Sequence, residues 1–230
     1  MRKQEWIQAF KAAFPHTLPV LTGFLVLGMA YGILMQTKGY GTGWSVLMSA
    51  VAFCGSMQFV AITLLTVAFD PLQAFLLSIM VNARHLFYGL SMLSKYQGAG
   101  KIRLFLIYTL CDETFSISYG VTPPADVQPR YFYLGISLMN YLYWVFGTLL
   151  GGTISSFLHV DTTGLDFVLT ALFVVLFLEQ FYKKENRSTA VMGLFASTFC
   201  LFLFGSANMV IPSMILILLI LLAGRNRIWN

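Results

Sequence analysis

Long apolar runs without charge alternate along the chain with short polar stretches that hold most of its charged residues and prolines. A helix of about 20 apolar residues crosses the ~30 Å hydrocarbon core of a bilayer. Segments of this kind are predicted at 18–37, 44–69, 72–93, 104–120, 131–158, 167–182, 188–204 and 209–223. The pattern predicts an all-α fold: a polytopic helical membrane protein with about 7–8 hydrophobic segments in a single transmembrane domain over residues 1–230.

Residues 1–16 precede the first run and carry a different pattern. Their large apolar side chains, from Trp6 to Phe14, fall near one helical face, which predicts a helix lying in the membrane interface. Pro15 and Pro19 are expected to let the chain turn into the bilayer. The run at 18–37 is longer than the apolar part of a cleaved signal peptide, so we expect a first spanning helix instead.

The composition narrows the class of protein further. Hydrophobic residues make up 58% of the chain, charged residues 10%, and the mean hydropathy is +0.77, whereas soluble domains carry about 25% charged residues. The net charge of +5 does not indicate a nucleic-acid partner, because Lys and Arg lie between apolar runs rather than in one patch. Cys54, Cys111 and Cys200 lie in separate apolar runs without a CxxC pair, so no metal or cofactor is predicted.

Positively charged residues cluster at the N-terminus and at 95–103, 183–187 and 225–227. Such clusters prefer the cytoplasmic side of a membrane. Three apolar segments separate the first cluster from the second, and three more separate the second from the third. Three full crossings cannot return a chain to the same side. Either the charge rule is violated, or one segment in each group is broken or re-entrant, which is tolerated where it lines a cavity.

Three of the runs contain candidates for such a break. They are 44–69 with Cys54-Gly55-Ser56, 104–120 with Asp112-Glu113, and 131–158 with Gly147 and Gly151-Gly152. The grouping suggests a three-plus-three helix repeat over 18–94 and 104–182, followed by a terminal hairpin at 188–223. Transporters often carry repeats with discontinuous helices at the binding site. GxxxG pairs at 28–32 and 147–151 indicate close helix packing.

An arginine stands in the middle of the run 72–93. Placing Arg84 in lipid would cost at least ~2.5–3.5 kcal/mol, so we expect it to face protein or water. Asn82, His85 and Gly89 share one helical stripe, and Arg84 lies on another.

The second group of charges is Asp112-Glu113. Neighbouring residues project about 100° apart on a helix. One carboxylate is therefore expected to pair with Arg84, while the other faces a cavity.

These polar side chains suit the two ends of a zwitterionic amino acid, which needs donors for its carboxylate and acceptors for its ammonium. The candidate substrate-binding residues are Gln58, Asn82, Arg84, Asn140 and Trp144, and the candidates for proton or ion coupling are His85, Asp112 and Glu113. A structural role stays open, because a buried Arg–acid pair can simply lock two helices, and the amides and the histidine can simply hydrogen-bond inside the bundle.

Enzyme signatures are missing from the sequence. It contains no HExxH, GxSxG or GxxxxGK[ST] motif, and its connections leave no room for an ATP-hydrolysing domain. An enzyme is therefore not predicted, and an intramembrane enzyme stays open only as a distant third alternative, since no nucleophile–base pair stands out.

Six motifs in order along the chain point to a known family. They are Gly23-Phe24 with Gly28 and Gly32; Cys54-Gly55-Ser56-Met57-Gln58-Phe59; Val81-Asn82-Ala83-Arg84-His85-Leu86-Phe87-Tyr88-Gly89; Asp112-Glu113-Thr114-Phe115; Asn140-Tyr141 with Trp144 and Gly147; and Leu165-Asp166-Phe167 with Ala171 and Phe173. In these motifs the chain resembles the AzlC family of branched-chain amino acid exporters, the YgaZ/BrnF-like large subunits. It departs in having Cys54 where that family is expected to have alanine.

The resemblance implies the export of valine, leucine, isoleucine, methionine and similar apolar amino acids across a bacterial cytoplasmic (inner) membrane. It also implies a partner, a small membrane subunit of the AzlD or YgaH type. Without ATP-binding machinery, uphill export has to draw on an ion gradient, and His85 and the two acids favour a proton. The alternative is a channel or an accessory membrane subunit whose buried charges serve assembly only.

Overall fold

A computed structural model describes residues 2–66, 70–157, 166–182 and 184–228. The chain divides into two compact units, Met1–Leu169 and Thr170–Asn230. All regular structure in the described ranges is helical, which confirms the predicted all-α class. The helices up to the boundary are α1 Arg2–Thr37, α2 Thr42–Ala52, α3 Gly55–Thr66, α4 Pro71–Met92, α5 Ile102–Tyr108, α6 Asp112–Gly120 and α7 Pro129–Phe157. Helix α8, Asp166–Tyr182, crosses the boundary, and α9 Arg187–Asn208 and α10 Val210–Ile228 follow.

Three helical stretches of the described chain are long and apolar enough to cross a membrane by themselves. They are Gln4–Thr37, Pro129–Phe157 and Arg187–Gly205. Helices α2 and α3 are apolar but shorter. The prediction of a helical membrane protein is confirmed, and part of its apolar sequence is organised as half-length helices.

Helix α1 is continuous through both of its prolines, so the turn expected at Pro15 and Pro19 is absent. Membrane helices tolerate proline because nearby side chains reorganise the local hydrogen bonding, and here the Thr17 hydroxyl donates to the Phe14 carbonyl at 2.9 Å. Ala9 and Ala13 on the same helix are fully buried. The interfacial location of residues 1–16 stays a prediction.

Helices α1 and α7 pack in parallel along most of their length. At one end the Trp6 ring lies 4.9 Å from the Tyr131 ring, between centroids. Towards the other end, a Cβ added at Gly151 would lie 2.1 Å from the Met29 carbonyl oxygen, and one at Gly32 would lie 2.3 Å from that of Thr148. Only glycine allows such a close approach of two backbones, which confirms the packing role predicted for the GxxxG pairs.

Helices α2 and α3 form a broken hairpin. Phe53 adopts a left-handed backbone conformation, with φ 36° and ψ 53°, and ends α2. After Cys54 the chain resumes as α3. The Tyr40 hydroxyl, just before α2, donates to the Leu65 carbonyl near the end of α3 at 2.9 Å. Both ends of the hairpin therefore lie at the same end of the bundle, and the predicted break at Cys54 is confirmed.

Helices α5 and α6 form a second broken hairpin. The helical pattern stops after Tyr108 and resumes at Asp112. Lys95, before α5, donates from Nζ to the carbonyls of Ser118 at 2.8 Å and Val121 at 3.2 Å, at the end of α6. This hairpin also returns to the end from which it starts. The predicted break near Asp112 is confirmed.

The third candidate break, at Gly147 and Gly151-Gly152, is wrong. Helix α7 runs from Pro129 to Phe157 without interruption. These glycines allow contact with other segments instead: Gly147 meets the backbone of α1, and Gly152 meets the side chain of Thr42.

The two hairpins enter the first unit from opposite ends. The α2–α3 hairpin starts where α1 ends, and α4 then leads to the Lys95 connection, from which α5–α6 starts. Tyr96 in that connection packs on Tyr133 near the start of α7, which lies beside the start of α1. The N-terminus and the cluster at 95–103 thus lie at the same end of the unit. This is the arrangement that the preference of positive clusters for one side of the membrane predicts if the second segment is re-entrant.

The element order bears on the suggested repeat. A broken hairpin is the second element of the first group of three but the first element of the second group. The order that recurs is a broken hairpin followed by one long helix, α2–α4 and then α5–α7. The three-plus-three repeat stays a prediction, because residues 158–165 and Lys183 lie outside the described part of the chain.

The second unit contains two helices that correspond to the predicted terminal hairpin. In α9, Gly205 has a non-helical backbone with φ 70° and ψ 170°. Gly193 of α9 faces Ile217 of α10. Arg187 begins α9, donates to the Phe181 carbonyl at 3.1 Å and lies over the Phe181 ring.

Candidate functional site

The breaks of the two hairpins meet at the middle of α4, where Arg84 joins them. Arg84 Nη2 lies 2.8 Å from Asp112 Oδ2, at the first residue of α6. The same nitrogen donates to Ser56 Oγ at 2.8 Å, in the first turn of α3. The pairing expected between Arg84 and one of the two acids is present, and Asp112 is the partner. Glu113 is half-buried beside it.

A carboxylate at the start of α6 also has a favourable electrostatic position. The unpaired N–H groups of a helix N-terminus carry a partial positive charge. Asp112 therefore receives stabilisation from the helix as well as from Arg84. Its Oδ1 atom and Arg84 Nε are both buried without a hydrogen-bond partner.

A cavity of about 330 Å³ lies between the two breaks and α4. This volume is at the lower end of the range of about 300–1,000 Å³ for small-molecule pockets. The lining includes Phe53 and Cys54 at the first break, Asn82, His85 and Gly89 of α4, and Tyr108 at the end of α5. The stripe predicted for Asn82, His85 and Gly89 is thus the face of α4 that borders the cavity.

Two contacts fix the polar wall of this cavity. The Cys54 thiol donates to Asn82 Oδ1 at 2.8 Å, which connects the first break to α4. His85 Nδ1 lies 3.3 Å from the Asn82 carbonyl oxygen of the preceding helical turn. The remaining walls are largely apolar, with Phe53, Leu86 and Leu110 among them.

Gln58 and Trp144 lie in a closed hydrogen-bond network that fixes the α2–α3 hairpin to α7. Trp144 Nε1 donates to Gln58 Oε1 at 2.8 Å, and Gln58 Nε2 donates to Ser49 Oγ at 2.9 Å. Ser49 Oγ is 2.9 Å from Thr148 Oγ1. All four side chains are almost fully buried. The network therefore holds the first hairpin in place.

Asn140 has a comparable position opposite the second hairpin. Its Nδ2 donates to Thr114 Oγ1 at 3.1 Å, and Thr114 Oγ1 lies 3.2 Å from Cys111 Sγ. The Asn140 side chain is fully buried, yet its Oδ1 has no hydrogen-bond partner. This contact is looser than the network around Gln58.

The structure thus separates the predicted residues into two layers. Asn82 and His85 line the cavity, and Arg84 pairs with Asp112 between the two breaks. Trp144 and Asn140 lie on α7, and Gln58 of α3 bonds to Trp144. Glu113, expected to face a cavity, is not among the residues that line this one.

Sequence reasoning missed Ser56 and Tyr108 as site residues. The Tyr108 hydroxyl donates to the Ala50 and Val51 carbonyls, which the first break leaves without helical partners. Ser56 stands within one of the quoted motifs and could have been chosen, but no sequence signal distinguishes Tyr108.

Discontinuous half-helices that meet beside a partly buried ion pair and a small cavity are typical of membrane transport proteins. The chain belongs to the AzlC family: the family model described as "AzlC protein" matches residues 19–158, which include both hairpins and α7.

Individual relatives agree with this assignment. The chain is 49% identical over 217 residues to a Bacillus subtilis protein named "Branched-chain amino acid transport protein AzlC", covering 94% of this chain and 85% of the relative. It is 39% identical to a Helicobacter pylori membrane protein of uncharacterized function, over 97% and 98% of the two chains. It is 26% identical to the Escherichia coli "Inner membrane protein YgaZ", over 74% and 72%. No solved structure matches the chain.

Proposed function

We propose that this chain is the large subunit of a two-component secondary transporter that exports branched-chain and similar apolar amino acids, driven by protons. The observation that carries the proposal is the Arg84–Asp112 pair, which lies where two broken helices meet beside a cavity of about 330 Å³. The name of the Bacillus subtilis relative supports the substrate class.

The cavity suits one apolar amino acid. Its apolar walls would receive the aliphatic side chain. Asn82 and Arg84, together with the N–H groups at the start of α3, would receive the carboxylate. Asp112 or Glu113 would receive the ammonium. Direct contact of Gln58, Asn140 and Trp144 with substrate stays a prediction, and their hydrogen bonds fit a supporting role behind the cavity.

Coupling to protons is proposed at the same place. A substrate ammonium and a proton would compete for the same carboxylate oxygens of Asp112 and Glu113, so binding of one would favour release of the other. His85 lies beside them on the cavity wall. In vesicles, collapse of the pH gradient and the membrane potential should therefore stop uphill transport, and transport that continues unchanged would exclude this coupling.

The second component is proposed to be a small membrane protein of the AzlD type. We would measure the loss of labelled valine, leucine and methionine from preloaded cells that express the chain, the small protein, both or neither, with lysine as the control. Faster loss of the apolar amino acids only when both are present is expected. Equal loss in all four strains would overturn the proposed function.

One observation favours a second candidate, a membrane subunit whose charges serve assembly. Arg84 connects α3, α4 and α6 through two short contacts, which is also what a structural lock requires. The double variant Arg84→Met with Asp112→Leu separates the candidates. Assembly alone predicts that a complex which still forms retains transport, whereas the exporter predicts that the complex forms and transport is lost.

A further inference from the structure

Gly89 stands in the interior of α4 without a contact that requires a glycine. Glycine inside a helix is less favourable than alanine, because it loses more backbone freedom on folding. At Gly151 a close contact explains the glycine, since a Cβ there would lie 2.1 Å from the Met29 carbonyl oxygen. A Cβ added at Gly89 would have no atom of the described chain within 4 Å, apart from its own helix and chain neighbours. Close helix packing therefore does not explain Gly89.

The open space beside Gly89 belongs to the cavity of about 330 Å³. Gly89 is among the residues that line this cavity, together with Asn82 and His85 on the same stripe of α4. The helical rise of ~1.5 Å per residue places Asn82 and Gly89 about 10 Å apart along the helix. The cavity thus follows α4 for about two helical turns, and a side chain at position 89 would occupy part of it.

The two ends of this stripe differ in their chemistry. At the Asn82 end, the Cys54 thiol donates to Asn82 Oδ1 at 2.8 Å, and Arg84 Nη2 donates to Ser56 Oγ at 2.8 Å. Gly89, further along α4, contributes no polar side chain. The apolar residues of the cavity lining include Phe53, Leu86, Ile107 and Leu110. Polar side chains are thus concentrated towards the Asn82 end of the stripe.

We propose that Gly89 sets the size of the side chain that the cavity accepts. The inference rests on the proposed function, in which Asn82 and Arg84 receive the substrate carboxylate. An amino acid held at that end extends its aliphatic side chain along α4 into the space that Gly89 leaves open. A larger residue at position 89 narrows this space, so it excludes leucine before it excludes the shorter valine. Hydrophobic pockets distinguish substrates that differ by one methylene about 10–200-fold.

The position of Gly89 is tested first, with cysteine variants of the full chain in native membranes. Gly89→Cys should react with a small charged methanethiosulfonate, because a substrate cavity has to admit a zwitterion. The matched control is Gly23→Cys, within the membrane-spanning part of α1. A Cβ at Gly23 also meets open space, but Gly23 is not among the residues that line the cavity.

The expected labelling follows from thiol chemistry. A thiol reacts as its thiolate, which lipid disfavours, so position 23 should stay unlabelled while position 89 reacts. Excess leucine should slow the reaction at position 89. Peptide mass spectrometry separates this label from any label at Cys54, which also lines the cavity. Equal labelling of positions 23 and 89, or none at position 89, would overturn the proposal.

Selectivity is tested by the release of labelled leucine and labelled valine from the same vesicles, which contain the full chain and the proposed small subunit. The ratio of the two rates does not depend on the amount of protein. Gly89→Ala should lower the leucine-to-valine ratio about tenfold, and Gly89→Val should lower it further. Gly23→Ala should leave the ratio unchanged. The purified Gly89→Ala protein should melt no earlier than the wild type, since its new methyl group meets no other atom of the described chain.

The outcomes separate this inference from the proposed function. An unchanged ratio in Gly89→Ala would show that position 89 does not contact the substrate side chain. An equal fall of both rates, or loss of the small subunit, would assign Gly89 to helix movement or to subunit contact instead. Each of these results would overturn the inference and leave the proposed function in place. Absence of leucine and valine transport in the wild type would overturn the proposed function, and the inference with it.

Discussion

Each broken hairpin consists of two short helices, but the two hairpins are held in different ways. The α2–α3 hairpin is fixed to α7 by a closed network of short side-chain hydrogen bonds around Gln58. The α5–α6 hairpin is held by a lysine on its backbone carbonyls, by the Tyr108 hydroxyl on carbonyls of the first hairpin, by one asparagine contact and by the ion pair of Asp112. Buried polar groups that hydrogen-bond to one another resist movement of the helices that carry them, whereas single contacts and unpaired atoms allow such movement. The second hairpin is therefore expected to be the more mobile one.

The largest expected effect follows from breaking the link that both hairpins share. Asp112→Leu leaves the Arg84 charge without its ion partner and should lower the free energy of unfolding by about 3 kcal/mol, since both side chains are mostly buried. Ser56→Ala removes only a neutral acceptor and should cost about 1 kcal/mol. Thermal melting of the purified protein measures both. The double variant Arg84→Met/Asp112→Leu is the control, and it should recover most of the loss.

The second effect concerns the α1–α7 contact on which both hairpins rest. Gly151→Ala places a Cβ against the Met29 backbone, 2.1 Å from its carbonyl oxygen, so it should separate the helices and cost about 2–3 kcal/mol. Gly135→Ala, nearer the second hairpin, meets the Ala13 Cβ at 3.1 Å and Phe10 at an ordinary 3.6 Å, and it should cost less than about 1 kcal/mol. Similar melting temperatures for the two variants would contradict the described packing.

A smaller effect distinguishes the side-chain networks. Gln58→Leu leaves the Trp144 N–H without its acceptor, removes one of the two side-chain contacts of Ser49, and should cost about 2 kcal/mol. Thr114→Val removes one contact from an asparagine that is already incompletely paired, and about 1 kcal/mol is expected. Hydrogen exchange of the purified protein checks the location: protection of the amides in α2 and α3 should fall only in the first variant.

The smallest effect is expected at the lysine that closes the second hairpin. Lys95→Met removes an ammonium from the carbonyls that end α6, where a cation contributes about 0.3–1 kcal/mol. Hydrogen exchange of the backbone amides in α6 should become faster, while the amides in α3 should keep their exchange rates. Lys101→Met is the matched control, because Lys101 is exposed in the same connection. Faster exchange in both hairpins would mean that they move together.

Much of this fold was accessible from sequence because lipid imposes simple rules. The length of the apolar runs predicted the segments. The distribution of positive clusters along the chain required a re-entrant element, and the motif Cys54-Gly55-Ser56 correctly indicated where it breaks. The turn predicted at the prolines of α1 was wrong, because proline breaks helices in soluble proteins but is tolerated where a neighbouring helix supports the chain. A row of small residues, Ala9, Ala13 and Thr17, was the overlooked sign of continuous packing.

The site could be predicted from the sequence only in part. Buried charge in an apolar run must find a partner, so the Arg84–Asp112 pair could be predicted. The contacts of Tyr108 and Lys95 could not, because both side chains bind backbone carbonyls, which every residue has, and only the fold decides which ones are left free.

The parallel contact of α1 with α7 has a consequence for synthesis in the cell. The glycines that bring these two helices together are about 120 residues apart, so at about 5–20 residues per second α1 waits on the order of ten seconds for its partner. During this time the two half-length helices of the first hairpin are already made, although neither can cross the bilayer alone. Insertion of this protein therefore depends on machinery that retains its early segments until the last long helix of the unit arrives.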